Sequence, residues 1–422
     1  MFDLDKWQQI YSVLKNNKVR TLLTAFGVFW GIFMLMVMLG AGAGLKNGVT
    51  AGLGDFATNS FFMWTQRTTV SYKGFPKGRF YNFKSSDMQA ISDNIPEVEH
   101  IAPKLQAGSY QGADNNVVRG LKSGAFTING DMPTFNKIDP VVMLKGRFIN
   151  NLDVNENRKV AAIGRRVKEE LFDEEEDPIG EYVRINGVYF QVVGVFKPLN
   201  PNISFGGDKE RSVVVPFTTF QQVYNYGDVV EFFAITAKKG VPVSRAEEAT
   251  ISLLKRRHQI APDDERAVGH INIEKEFKKI MGLFTGIDVL IWIVGIGTLL
   301  AGVIGVSNIM LIVVRERTKE IGIQRAIGAT PRNIISQIIT ESATLTLLAG
   351  YIGMVIGVAL IEGLSMVIEA GGNEDQMFRN PEIDFSIAIT ALLILVVFGV
   401  LAGILPAKRA VNIKPIDALR DE

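Results

Sequence analysis

Residues 289–314 read VLIWIVGIGTLLAGVIGVSNIMLIVV, without a charged side chain. A helix crosses the hydrocarbon core of a bilayer with about 20 apolar residues. No water reaches the backbone there, so the segment must satisfy its own amides by coiling. Thr21–Leu45, Ser342–Ile361 and Phe385–Ala407 are also uncharged, and the third run stays apolar past Glu362 to Ile368. One such run could be a buried helix of a large soluble enzyme; four cannot reasonably be. The sequence predicts an α-helical membrane protein with four transmembrane helices, and a large extracytoplasmic α/β domain between the first two.

Lysine and arginine in short flanks set the orientation. Lys6, Lys15, Lys18 and Arg20 precede the first run. Arg315, Arg317, Lys319, Arg325 and Arg332 lie between the second and third, and Lys408, Arg409, Lys414 and Arg420 follow the fourth. The link between the third and fourth holds Arg379 against Glu369, Glu374, Asp375, Glu382 and Asp384. Basic flanks belong in the cytoplasm, so both termini are expected inside and the long segment after the first span outside. Ala41-Gly42-Ala43 raises the alternative of a cleaved signal peptide, but the run before it exceeds the 7–15 residues of such a core.

The expected division is 1–20, an amphipathic cytoplasmic helix; 21–45, the first span; 46–279, the outer domain; 280–314, the second span; 315–332, a cytoplasmic link; 333–368, the third span; 369–384, a short outer loop; 385–407, the fourth span; and 408–422, a cytoplasmic tail. In the first segment Trp7, Ile10, Tyr11 and Leu14 recur at helical spacing among lysines, which suits a headgroup layer of anionic lipid or simply prolongs the first span. The outer domain opens with a strand at Ser60–Trp64, a helix from Ser85 carrying Met88, Ile91 and Ile95, and a strand at Val98–Gln106. From Asn115 to Phe220 strands are punctuated by Gly and Pro, including a hairpin over Val183–Val193 with Asn186-Gly187 at its turn. A strand at Phe232–Ala237, a helix at Ser244–His258 and a strand at Ile271–Ile273 return to the first pattern. A β-rich module is thus inserted in an α/β module. Glu274–Lys279 should start a helix that continues into the second span. The acidic run Asp173–Asp177 reads as a solvated loop, and its spacing is not that of an EF-hand.

The chain of 422 residues carries 45 Lys+Arg against 44 Asp+Glu, a net charge of +1, which argues against nucleic-acid binding. Hydrophobic residues make up 47% and charged residues 21%, outside the range of disorder. The mean hydropathy of +0.18 conceals the concentration of apolar residues in the four runs. Cysteine is absent, which excludes disulfides, thiol nucleophiles and zinc–thiolate sites. His100, His258 and His270 are the only histidines and have no helical pairing, so no metal is expected. No phosphate-cradling G-x-x-x-x-G-K-[ST] loop is present; Gly40-Ala41-Gly42-Ala43-Gly44-Leu45-Lys46 lacks the closing hydroxyl. Nucleophile-elbow, zincin and kinase motifs are missing too. Asp288, Glu341 and Glu362 fall near predicted span ends, so the spans read as scaffold rather than pore. They carry small-residue pairs, Gly27/Gly31, Gly353/Gly357, Gly399/Gly403 and Ala301/Gly305, that let helices approach closely. These serve either packing within one chain or a dimer through the first two spans.

The link Val314–Thr330, VRERTKEIGIQRAIGAT, is the most informative stretch. It is a helix dense in both charges, stopped by Gly328, with Thr330-Pro331 opening the next helix. Arg315 to Glu320 offer ion pairs to a partner, and Ile321, Ile323 and Ile327 offer apolar anchors. An ordinary positive-inside loop is the plainer reading of the same residues.

The run Arg315–Ala329 resembles the signature of ABC transporter permeases of the MacB and FtsX type. So do Leu405–Ala410 with Pro415–Arg420, and Asn17–Thr24 at the other end. Leu144–Phe148 and Phe190–Val195 resemble the periplasmic core of that family, so the resemblance runs from end to end. It implies a bacterial inner-membrane permease subunit that works as a dimer, homomeric or with a paralogue, beside two ATPases. Arg315, Glu316, Arg317, Thr318, Lys319, Glu320, Ile321, Gly322, Arg325, Ala326, Gly328 and Ala329 then form the element seated on the ATPase. Gly27, Gly31, Ala301 and Gly305 pack helices or the dimer. MacB carries its ATPase in the same chain, whereas this one begins at the permease; ATP and magnesium are expected on a separate subunit. Work would be done outside without passing substrate through the membrane, for export with a periplasmic adaptor and outer-membrane channel. Lipoprotein release is the alternative, and cell-wall hydrolase regulation the third. A membrane-anchored sensor would need an inner signalling domain, and an anchored enzyme a catalytic constellation; neither is visible.

Overall fold

The computed structural model describes residues 18–53, 57–107, 116–199, 207–370, 378–382 and 385–412. The amphipathic segment before Lys18, the family-like run Pro415–Arg420 and most of the acidic loop at 371–377 lie outside the described residues. Two compact units emerge, 52–281 and the pair of segments 1–51 with 282–422.

In the second of these, α1 (Lys18–Leu53) is followed by the part of α8 (Ile273–Glu316) beyond residue 281. Then come α9 (Thr318–Ala326), α10 (Pro331–Ala370) and α11 (Phe385–Val411). Among the described residues, four helices are long and apolar enough to cross a membrane. Val28, Ile32, Leu35 and Met36 of α1, Leu299, Val306 and Met310 of α8, Ile338 of α10 and Leu395 and Ala402 of α11 form one buried cluster. Large apolar side chains such as Ile293, Ile304, Ile352, Leu393 and Val397 stay exposed, a surface suited to lipid. Close approach is set by glycine. A Cβ on Gly302 of α8 would stand 3.1 Å from the Val28 amide of α1, and one on Gly353 of α10 only 2.5 Å from the Phe29 carbonyl oxygen.

The outer unit, 52–281, holds a twelve-stranded mixed sheet. Its strands are β1 (Ser60–Thr65), β3 (Val98–Ala107), β4 (Val117–Arg119), β5 (Lys122–Gly124), β6 (Thr127–Asp131), β7 (Val141–Gly146) and β8 (Val160–Gly164). β9 (Tyr182–Ile185), β10 (Val188–Pro198), β11 (Ser212–Pro216), β13 (Phe232–Ala237) and β14 (Val268–Asn272) complete it. β2 (Phe83–Lys84) and β12 (Val229–Val230) pair separately. The order is β14-β1-β13-β3-β6-β11-β8-β10-β9-β4-β5, with β7 on β10. The inserted module expected between Asn115 and Phe220 is the part from β4 to β11. β3 is shared: residues 98–104 pair with β13, and Leu105–Ala107 turn to β6.

The helices of this unit are α2 (Ser85–Asn94), α3 (Phe135–Ile138), α4 (Asn151–Asn155), α5 (Arg165–Leu171), α6 (Phe217–Val223) and α7 (Val243–Arg257). α2, α5, α6 and α7 cover one sheet face through Ile91, Val167, Phe220 and Leu254, facing Phe61, Leu105, Ile128 and Phe233. Alternate residues point the other way. Phe62, Ala102 and Ala234 meet Phe135 and Ile138 of α3, while Ala162, Phe196 and Val214 meet Ile149. Between these two apolar patches, along β3 and β6, the second face is polar and buried. Lys104 pairs with Asp131 at 3.3 Å, Lys209 with Asp139, and the Lys104 ammonium lies 4.0 Å from the Phe135 ring centre. The β9–β10 hairpin turns through Asn186 at φ 44° and Gly187 at φ 81°, left-handed values that the Asn-Gly pair tolerates. In the acidic run, Asp173, Glu176 and Asp177 are spoken for by Lys122, Arg119 and Lys145.

Candidate functional site

α9 follows α8 with little interruption. The Arg317 amide donates to Val313, and the Ile321 amide to Arg317, across the break. Thr318 Oγ1 donates back to the carbonyls of Arg315 at 2.8 Å and Val314 at 3.3 Å, a local competition that bends helices. At the far end Gly328 takes φ 107°. Its amide donates to Arg325 and that of Ala329 to Gln324, the paired bonds of a Schellman stop. Pro331 then opens α10, whose Asn333 amide donates to the Thr330 carbonyl.

Three interactions fix α9 to the spans. Ile321, 7% exposed, is buried with Met310 of α8 and Ile334 and Ile338 of α10. Arg317 donates in bidentate fashion to Glu320, at 2.8 and 2.9 Å, and turns its third edge to Glu341 of α10 at 3.4 Å. Glu341 is 7% exposed. The Glu320 hydrogen bonds raise the Arg317 pKa further, and Arg317 in turn holds the Glu320 carboxyl below the ordinary range. Arg325 donates to the Val411 carbonyl, at 2.6 Å, where α11 ends. The short helix is thereby tied to the second, third and fourth spans together.

This arrangement divides the expected site residues by role. Ile321 and Gly322 are buried and brace α9 from within, and Arg317 is committed to two carboxylates of its own chain. Thr318 and Arg325 likewise spend their polar groups internally, and Ala329 is half-buried. Arg315, Glu316, Lys319, Glu320, Ala326 and Gly328 are exposed. Ile323 and Ile327 are 44% and 82% exposed. Lys319, Ile323 and Ile327 recur every four residues, a stripe of one cation and two apolar knobs on the outer face of α9. Composition singles out all three isoleucines of the link, and only the packing tells the inward one from the outward two.

The small-residue pairs divide in the same way. A Cβ on Gly27 would stand 3.6 Å from the Gly302 Cα and one on Gly31 3.4 Å from the Leu299 side chain, both within this chain. Gly357 faces Met36, and Gly399 faces Ala343. Ala301 is exposed, and the space beside Gly305 is open. The partner of Gly27 on α8 is thus Gly302, one residue away from the pair that spacing selects.

Comparison with known proteins places this architecture. The model of the MacB-like periplasmic core domain matches residues 21–253, and that of the FtsX-like permease C-terminal region residues 292–415. The pyoverdine export ATP-binding/permease protein PvdT of Pseudomonas putida is 32% identical over 99% of this chain and 60% of its own length. The macrolide export ATP-binding/permease protein MacB of a Shewanella species is 28% identical over 97% and 59%. The chain therefore spans about 60% of the length of these relatives. The crystal structure of the periplasmic region of MacB from Actinobacillus actinomycetemcomitans covers 54% of the chain and 95% of that region, at 18% identity and a TM-score of 0.43. With four apolar helices and a core domain of the periplasmic type, the chain fits a multi-pass inner-membrane protein. It belongs to the ABC transporter permeases of the MacB/FtsX type.

Proposed function

We propose that this chain is the permease of an export system, in which a separate ATPase seats on α9 and ATP binding and hydrolysis there move the outer domain. The observation that carries the reading is the exposed stripe Lys319, Ile323 and Ile327 on a helix tied by Ile321, Arg317 and Arg325 to three spans. A push on such a helix cannot be absorbed locally. In this reading ATP and magnesium sit on that ATPase; the pattern G-x-x-x-x-G-K-[ST] does not occur in these 422 residues. The basic flanks put α9 and both ends of this sequence in the cytoplasm and residues 46–279 outside. Two copies, joined through exposed faces such as that of Ala301 and Gly305, give the ATPases a symmetric seat. The relatives named for export of pyoverdine and of macrolides support a small periplasmic molecule as cargo, with an adaptor and outer-membrane channel receiving it.

The test is co-purification with an ABC-type ATPase co-expressed as a separate chain. Reversing Arg317 and Glu320 together is uninformative, because a carboxylate at 317 would face Glu341. Lys319→Glu with Ile327→Asp is expected to weaken ATPase binding at least tenfold, about 1.4 kcal/mol, with folding intact. Unchanged binding and unchanged stimulation of hydrolysis would remove α9 as the seat.

A further inference from the structure

α8 begins inside the outer domain, where a single buried carboxylate gathers its first turn. Glu247 of α7 is 1% exposed. Its Oε1 lies 2.7 Å from His270 Nδ1 of β14. Its Oε2 accepts from Asn272 Nδ2 at 2.7 Å and from Lys275 Nζ at 3.4 Å. Asn272 in turn caps α8, its side-chain oxygen accepting from the Lys275 amide at 3.0 Å. Glu274, in the first turn of α8, accepts the Val243 amide that opens α7 at 2.9 Å. The N-terminal turns of the two helices thus hold each other, and Ile273 fills the apolar patch beneath them with Phe62 and Phe135.

A helix that leaves a sheet through one backbone link can swivel there. Here the two carboxylate oxygens together engage residues 270, 272 and 275, two on the strand and one on the helix, so rotation or tilt of the root breaks charge-assisted bonds to a buried carboxylate. α8 then runs as one helix from Ile273 to Glu316, next to α9. We propose that Glu247 is the positioning residue that locks the root of the second span to α7 and β14, so that motion imposed on α8 is passed to the outer domain rather than lost at the joint. This deepens the coupling reading above and rests on it.

The chain has no cysteine, so Glu248→Cys on α7 and Lys279→Cys on α8 create a unique pair for spin labels. In the full chain in lipid nanodiscs the wild-type distance distribution is expected to be narrow, and Glu247→Gln to widen it at least twofold. Lys275→Ala, at an exposed position, should widen it less and leave the melting temperature of the protein unchanged. That pattern separates a joint from a general loss of stability. Equal widths in all three proteins, or widening seen only together with lowered melting temperature, would overturn the proposal. Adding ATP and the ATPase should leave the wild-type width as it is; a wild-type joint that opens under ATP would also overturn it. The first measurement needs no ATPase. Its failure is therefore distinct from failure of the coupling reading, which the α9 variants decide.

Discussion

Arg317 shows how a charge pattern leaves the partners of a residue open. It sits in a run that reads as a surface for a partner, yet its guanidinium is shared between Glu320 and the buried Glu341. Removing it leaves a carboxylate at 7% exposure without its cation, a loss of about 3 kcal/mol. Arg317→Ala and Glu341→Ala should each lower the melting temperature in detergent, while Arg317→Met with Glu341→Leu should recover most of the loss. A second carboxylate, in the unit 52–281, contributes to the acid sensitivity of the fold. Burial would raise the Asp87 pKa, but hydrogen bonds from His258 and Arg257 and from the Lys84 amide outweigh it and hold it below the ordinary value. A depressed carboxylate contributes stability that is present above its unfolded pKa of about 4 and is lost as pH falls through the folded one. Asp87→Asn should therefore lower the stability of the protein at pH 7, by about 3 kcal/mol, and the gap from wild type should close below about pH 4 in acid-unfolding curves.

At the scale of elements the informative strand is β3, which serves two lobes. Its apolar residues reach the shared core on one face, and Lys104 on the other meets Asp131, with Asp139 and Lys209 close by. Burial raises the Asp131 pKa despite Lys104, and lowers that of Lys209 despite Asp139, so the quartet carries a desolvation cost. Such a seam specifies register more than it stabilises. Lys104→Met alone should cost about 3–5 kcal/mol, whereas Lys104→Met with Asp131→Leu should come within about 1 kcal/mol of wild type by urea unfolding. If the double variant is as unstable as the single, the quartet stabilises the domain outright. The helix crossings obey a plainer rule, since any side chain at Gly302 or Gly353 drives two backbones apart.

For the whole molecule the testable statement is topology. In sealed inside-out vesicles, protease is expected to cut at Ile327 and in the tail and to spare the outer domain; in right-side-out spheroplasts the pattern should invert. Cleavage of the outer domain from the same side as α9 would remove the basis for coupling across a membrane.

Much of this is legible in the sequence. Hydrocarbon admits few backbone solutions, so uncharged runs such as Val289–Val314 announce helices, and Gly328 and Asn186-Gly187 announce their stops and turns through local backbone energetics. The inserted β module was legible from period and punctuation. Tertiary structure alone decided which of Ile321, Ile323 and Ile327 faces out, that Gly27 meets Gly302, and that Glu247 gathers His270, Asn272 and Lys275. The physical reason is that periodicity is a property of one element, whereas facing, burial and charge pairing depend on the neighbour that packing supplies.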